Sequence, residues 1–234
     1  MFGTRKYKTY RDAYLSARAN VSDKWEHYFA IYDHVFGHRY REDLVYLEIG
    51  VQNGGSLETA RKLFGAKSKI IGVDLDPACR RLADEGIADA VFIGDQTDDA
   101  VIAAIAQDYP ALDIVIDDGS HQQRDVILSF IKLFPLLAEN GVYLIEDTHS
   151  MHGAQYQASF HGIGIYDYFK GLAERLNLHW MDFDAAAARF GQSRETRAPA
   201  MIHEPVDRIF SIEFFDSVIA IRKRTRAEPL RMTT

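Results

Sequence analysis

Two acidic pairs stand out in the 234-residue chain: Asp117-Asp118, followed by Gly119-Ser120-His121, and Glu146-Asp147, followed by Thr148-His149. Each closes an apolar run, Asp113-Ile114-Val115-Ile116 before the first and Gly141-Val142-Tyr143-Leu144-Ile145 before the second. If these runs are neighbouring strands, their ends lie about 4.8 Å apart and three or four carboxylates share one small space. Like charges that close repel, and a divalent cation neutralises them. All-oxygen donors are hard, favouring Mg2+, Mn2+ or Ca2+ over zinc. The competing reading is that Asp118 or Ser120 caps a helix opening at Gln122. His121, three residues after Asp118, falls where a strand-to-helix turn would aim it over the crevice. An imidazole with an ordinary pKa of about 6.5 suits a general base, against the alternative of a packing histidine. His149, two residues past Asp147, is a second candidate base or a substrate contact.

A glycine-rich turn, Gly50-Val51-Gln52-Asn53-Gly54-Gly55-Ser56, follows the strand-like run Leu44-Val45-Tyr46-Leu47-Glu48-Ile49. Asp74 ends the next run, 24 residues after Gly50. An acidic side chain there accepts hydrogen bonds from ribose hydroxyls. The spacing departs from G-x-G-x-x-G, and Glu48 would repel a pyrophosphate, so the turn suits a nucleoside carrying positive charge better than a dinucleotide. A purely structural turn is the alternative.

The elements that must position these groups alternate along the chain. Strands are expected at 44–49, 69–74, 90–93, 113–117 and 141–146, with helices opening near Ser56, at Pro77, over 97–107 and from Gln122 to Ala138. Nearly continuous apolar strands alternating with helices specify a doubly wound α/β sandwich with a parallel sheet. Two last strands, 208–214 and 217–222, are separated by so few residues that only an antiparallel hairpin joins them. One or two helices precede the sheet, with Trp25, Phe29 and Tyr32 spaced as a packed helix face. Residues 185–203 read as irregular after a short alanine-rich helix.

Composition narrows the class. Hydrophobic residues make up 47% and charged residues 26%, as in a globular protein. The net charge of −7 argues against a broad nucleic-acid surface. No apolar run reaches the roughly 20 residues of a membrane span, and the first ten residues lack the pattern of a secretory signal. A single cysteine, Cys79, fits a reducing cytoplasm and reads as a packed small residue. The basic cluster Arg222-Lys223-Arg224-Thr225-Arg226 reads as a solvated strand end.

The stretch Leu47-Glu48-Ile49-Gly50-Val51-Gln52-Asn53-Gly54-Gly55-Ser56, with Ile70-Ile71-Gly72-Val73-Asp74-Leu75-Asp76-Pro77, resembles the S-adenosylmethionine (SAM) site of class I methyltransferases. The resemblance implies a Rossmann-like three-layer fold with a seven-stranded sheet, and a cofactor held by Glu48, Gly50, Asn53, Gly54, Ser56 and Asp74. More narrowly, Asp23-Lys24-Trp25, Ile93-Gly94-Asp95-Gln96, Asp117 to His121 and Glu146-Asp147-Thr148 together resemble the macrocin/mycinamicin type, metal-dependent O-methyltransferases of sugar hydroxyls. That resemblance implies Asp95 and Gln96 at the adenine, Asp117 on the cofactor side, Lys24 pairing with the methionine carboxylate, and Mg2+ (Mn2+ as the alternative) on Asp118, Glu146 and Asp147. It assigns the base to His121 and implies methyl transfer from the sulfonium to a metal-activated alkoxide. The implied partner is a small glycosylated acceptor, a natural product or glycolipid, with no nucleic acid, no membrane and a homo-oligomer of two or more copies. The expected organisation is an N-terminal helical extension (1–40), a methyltransferase domain (41–226) with an acceptor lid near 150–164, and a tail (227–234). Rival readings are a catechol or phenolic acceptor, a nicotinamide dehydrogenase (disfavoured by the missing G-x-G-x-x-G) and a non-catalytic SAM-binding scaffold.

Overall fold

Helices α1 (Tyr10–Ser16) and α2 (Glu26–Phe36) precede a sheet whose first strand, β1 (Val45–Ile49), runs through the glycine turn into α3 (Gly55–Leu63). The chain continues as β2 (Lys69–Asp74), a short α4 (Arg81–Asp84), β3 (Ala90–Ile93), α5 (Asp99–Asp108), β4 (Leu112–Asp117), α6 (Gln123–Leu133), β5 (Leu137–Ile145) and α7 (Ile165–Arg175). A hairpin, β6 (Ile209–Phe215) and β7 (Val218–Lys223), closes it. This computed structural model describes residues 7–176 and 206–225. The segment 185–203 and the tail 227–234 lie outside the described residues.

The seven strands are ordered β3-β2-β1-β4-β5-β7-β6, parallel from β3 to β5 and antiparallel in the last two pairings. The doubly wound α/β sandwich expected from the alternation is therefore present, antiparallel hairpin included. Chain order reverses at β1, which pairs with β2 on one side and β4 on the other. The crevice outside the carboxyl ends of those strands is where ligands bind in such sheets.

Period-two side-chain alternation divides the core between the two faces of the sheet. Tyr46, Ile70, Ile114, Ile116 and Leu144 pack with Tyr28, Tyr32, Phe36 and Leu57 on one face. Leu47, Ile71, Val115, Tyr143 and Ile145 pack with Ile105, Phe130 and Phe169 on the other. The N-terminal helices belong to the first of these cores, with Tyr10, Tyr28, Tyr32 and Phe36 buried.

Some local expectations are corrected. Helix α6 stops at Leu133 instead of Ala138, because Pro135 lacks the N–H to continue it, and Leu137-Ala138 already belong to β5. The helix expected at Pro77 opens as a 3-10 turn, Pro77–Arg80. Trp25 departs from the packed face: it stands before α2 and is 57% exposed, while Phe29 and Tyr32 are buried. The basic strand end is not simply solvated, since Lys223 is buried and donates to the carbonyls of Pro135 (2.8 Å) and Leu137. Among the described residues, no helix is long and apolar enough to cross a membrane.

Candidate active site

The glycine turn and the turn after β4 touch at the switch point. Gly50 is left-handed (φ 81°), and a Cβ there would sit 2.1 Å from the Asp118 carbonyl oxygen, so only glycine lets the two strand ends approach this closely. Two adjoining cavities open above them. One, of about 330 Å3, is lined by Lys24, Trp25, Tyr28, Ser56, Asp118, His121, Glu146 and Asp147 among others. The second, of about 190 Å3, is lined by Asp74, Leu75, Asp95, Gln96 and Gly119 among others. Gly50, Gln52 and Asp118 border both.

The smaller cavity is built from polar groups already satisfied by the chain. Asp74 accepts from the amides of Gln52 and Asp76, each at 2.9 Å. Asp95 accepts from the amide and hydroxyl of Thr97, and these bonds hold its carboxyl below the usual range. Buried Gln96 donates to Asp117 (3.2 Å) and to the Ser129 hydroxyl (2.8 Å), and accepts from the Ser120 amide (2.8 Å). Asp117 lines neither cavity; burial pushes its carboxyl up to about 7, against the hydroxyl donated by Tyr143 and the bonds from the Gly119 amide and Gln96.

The larger cavity is built from charge. The Lys24 ammonium, its side chain 5% exposed, lies 2.6 Å from Asp118, 2.7 Å from Glu146 and 3.4 Å from Glu48. Burial alone would lower its pKa, but Glu146, Asp118 and Glu48 together hold it well above the usual lysine range. Burial raises the carboxyls of Glu146 and Glu48, and Lys24 opposes that rise. Three tyrosines complete the acidic groups: Tyr32 donates to Glu146 (2.6 Å), Tyr28 to Asp147 (2.6 Å) and Tyr46 to Glu48 (2.8 Å).

His121 stands between two carboxylates, its Nε2 3.8 Å from Asp118 and 3.7 Å from Asp147. Asp118, His121 and Asp147 each offer a ligand atom, all within 4.8 Å of one another. The two carboxylates suit a hard divalent ion better than the imidazole does, and one ammonium against Glu48, Asp118, Glu146 and Asp147 leaves negative formal charge to neutralise. Neither Asp118 nor Ser120 caps α6, whose N-cap Gln122 carries no side-chain cap bond; the Ser120 hydroxyl accepts from the Gln122 amide (3.2 Å) in the turn before it, and Asp118 lines the larger cavity.

The remaining expected residues are placed less centrally. His149 is half exposed, 4.0 Å from Asp147 and edge-on to Trp25. Glu48, Asn53 and Gly54 line neither cavity, and Asn53 contributes its carbonyl to Arg81. Lys24 faces the acidic groups of the chain itself. Residues 150–164 are tied to the start of α6: Gln122 donates to the Gln155 carbonyl, Gln123 to Met151 and Tyr156, and the Arg124 amide to Ala158. Gln52, Tyr28 and Tyr32 were not among the expected site residues. Only the spacing of four between Tyr28 and Tyr32, one face of a helix, could have signalled two hydroxyls aimed together.

A model of the methyltransferase domain matches residues 47–148, from β1 to just beyond β5. The 8-demethyl-8-alpha-L-rhamnosyl tetracenomycin-C 2'-O-methyltransferase of Streptomyces olivaceus is 30% identical over 222 residues, 88% of this chain and 53% of that protein. The demethylmacrocin O-methyltransferase of Streptomyces fradiae is 36% identical over 54% of this chain and 34% of its own length. The chain thus spans about half the first relative and about a third of the second. Among solved structures, the MycE methyltransferase of the mycinamycin pathway, in complex with Mg and SAH, superposes with a TM-score of 0.69 at 26% identity, over 84% of this chain and 48% of that one. Residues 47–148 therefore match a methyltransferase domain, and the chain is similar to O-methyltransferases whose names give a rhamnosyl tetracenomycin-C and demethylmacrocin as what they act on.

Proposed function

We propose that the protein is a SAM- and Mg2+-dependent O-methyltransferase acting on a sugar hydroxyl of a glycosylated natural product or glycolipid. The observation that carries this reading is the convergence of Asp118, His121 and Asp147 in a cavity that shares Gly50, Gln52 and Asp118 with a second one at the switch point. The rhamnosyl group in the first relative's name supports a sugar acceptor.

When bound, SAM supplies an already activated methyl group, and Mg2+ lowers the pKa of an acceptor hydroxyl. The chain's own residues bind, align and move the proton. Asp118, Glu146 and Asp147 would hold the ion, with Tyr28 and Tyr32 fixing the last two carboxylates in place. His121 accepts the acceptor's proton at Nε2, beside two carboxylates that stabilise the imidazolium formed. Asp74 binds the ribose, Gly50 and Ser56 admit the methionine end, and Asp95 and Gln96 border the adenine. His149 and the segment 150–164, whose Tyr156 lies edge-on to His121 (6.1 Å), face the acceptor.

The test is incubation with methyl-labelled SAM and a panel of glycosides and catechols, with Mg2+ or with EDTA. Label is expected in a sugar O-methyl group with Mg2+ only. Transfer to catechols alone, or SAM binding without transfer, would overturn the proposal.

A further inference from the structure

Lys24 is the only lysine or arginine lining the larger cavity, among the described residues, and its ammonium is spent on the chain's own carboxylates. Asp23, Asp118, Glu146 and Asp147 line the same space. In this arrangement an incoming carboxylate meets four acids and no available cation. The proposed cofactor brings such a carboxylate on its amino-acid end, beside the glycine turn. The two partners of Lys24 at shortest range, Asp118 and Glu146, are also proposed ligands of the divalent ion, so one cation must give way to the other.

We infer that Lys24 is an exchangeable counter-cation: the divalent ion displaces its ammonium from Asp118 and Glu146, and the freed ammonium pairs with the cofactor's carboxylate. This inference rests on the proposed function. No bond is made or broken; one ion pair is traded for another, and a doubly charged ion takes the place of a singly charged group among the acids. The consequence is positive coupling: each ligand binds more tightly when the other is present, by the same factor. Lys24 is thus a switch between two partners, and the 18–25 segment that carries it is held separately. Glu58 accepts the amides of Arg18, Ala19 and Asn20, and Tyr14 donates to the Ser22 carbonyl. The lysine side chain can therefore change partner while its backbone stays anchored.

The experiment is calorimetry of S-adenosylhomocysteine and of 5'-methylthioadenosine, which lacks the carboxylate, in Mg2+ and in EDTA. The wild-type protein is expected to bind S-adenosylhomocysteine about 10-fold more tightly in Mg2+, and methylthioadenosine equally in both. Lys24→Met is expected to remove the Mg2+ dependence while keeping methylthioadenosine affinity, which also reports an intact fold; Lys24→Arg is expected to retain the dependence. Undiminished coupling in a Lys24→Met protein that binds methylthioadenosine normally overturns the exchange. Acetylation of Lys24, read by mass spectrometry on the wild-type protein, keeps the inference testable if that variant does not fold. Protection in EDTA, reactivity in Mg2+ and renewed protection with S-adenosylhomocysteine are expected, and no rise in reactivity while Mn2+ binding is seen by electron paramagnetic resonance overturns it. If neither Mn2+ nor methylthioadenosine binds the wild-type protein, the proposed function falls as well.

Discussion

The two cavities at the switch point are built by opposite means. Around the smaller one, Asp74 is satisfied by two backbone amides, Asp95 by Thr97, and Gln96 by Asp117, Ser129 and Ser120. Around the larger one, the acids are held by one ammonium and by tyrosine hydroxyls from the N-terminal helices, and the formal charges do not cancel. The first arrangement is a rigid mould whose shape is set before a ligand arrives. The second is charged machinery that changes partners when it is loaded.

Four substitutions would break or sharpen this contrast. Asp118→Asn, on the charged side, is expected to have the largest effect: loss of Mn2+ binding in a paramagnetic titration and a fall in turnover of about 10^4-fold, the several kcal/mol an activating ion supplies. His121→Ala is expected to lower turnover by about 10^3-fold at unchanged S-adenosylhomocysteine affinity, and comparable turnover would remove it from the chemistry. On the moulded side, Asp74→Ala is expected to cost about 2 kcal/mol, roughly 30-fold in cofactor affinity by calorimetry, with Mn2+ binding untouched. An equal loss of Mn2+ binding would show that the two sides are not built independently.

A separate effect is on stability against pH. The Asp117 carboxyl, pushed up by burial to about 7, has a folded value above its unfolded value of about 3.9. Its contribution is fully present below about pH 4 and is lost as pH rises through 7, at most about 4 kcal/mol. Asp117→Asn is expected to flatten the decline of Tm between about pH 4 and 7, as followed by thermal melts, and an unchanged slope would remove Asp117 as its source.

Much of the fold was legible because its signals are local. Apolar runs, the glycine turn and the short interval before β7 each specify their own stretch of backbone, and together they specify the parallel sheet and its terminal hairpin. The end of α6 was misread because its apolar pattern runs on past Pro135, and proline decides where pattern does not. At the candidate site, the groups at the ends of β4 and β5 were legible since adjacent strands put them side by side. Tyr28 and Tyr32 were not. Their hydroxyls reach Asp147 and Glu146 across more than a hundred residues of sequence, and a buried tyrosine looks like any aromatic core residue until its oxygen is located. The engagement of Lys24 with three acids was hidden for the same reason.

His121 and Asp147, together with Gln52, carry side chains at backbone angles that ordinarily suit glycine (φ 56°, 51° and 43°). Such posts cost about 1–3 kcal/mol each when a non-glycine residue fills them. Selection for robustness alone would therefore drift these corners toward glycine and erase the imidazole and the carboxylate. Holding an imidazole and a carboxylate at these corners trades durability for reactivity, and thermostabilising substitutions are better sought on the outer faces of the helices than at the strand tips.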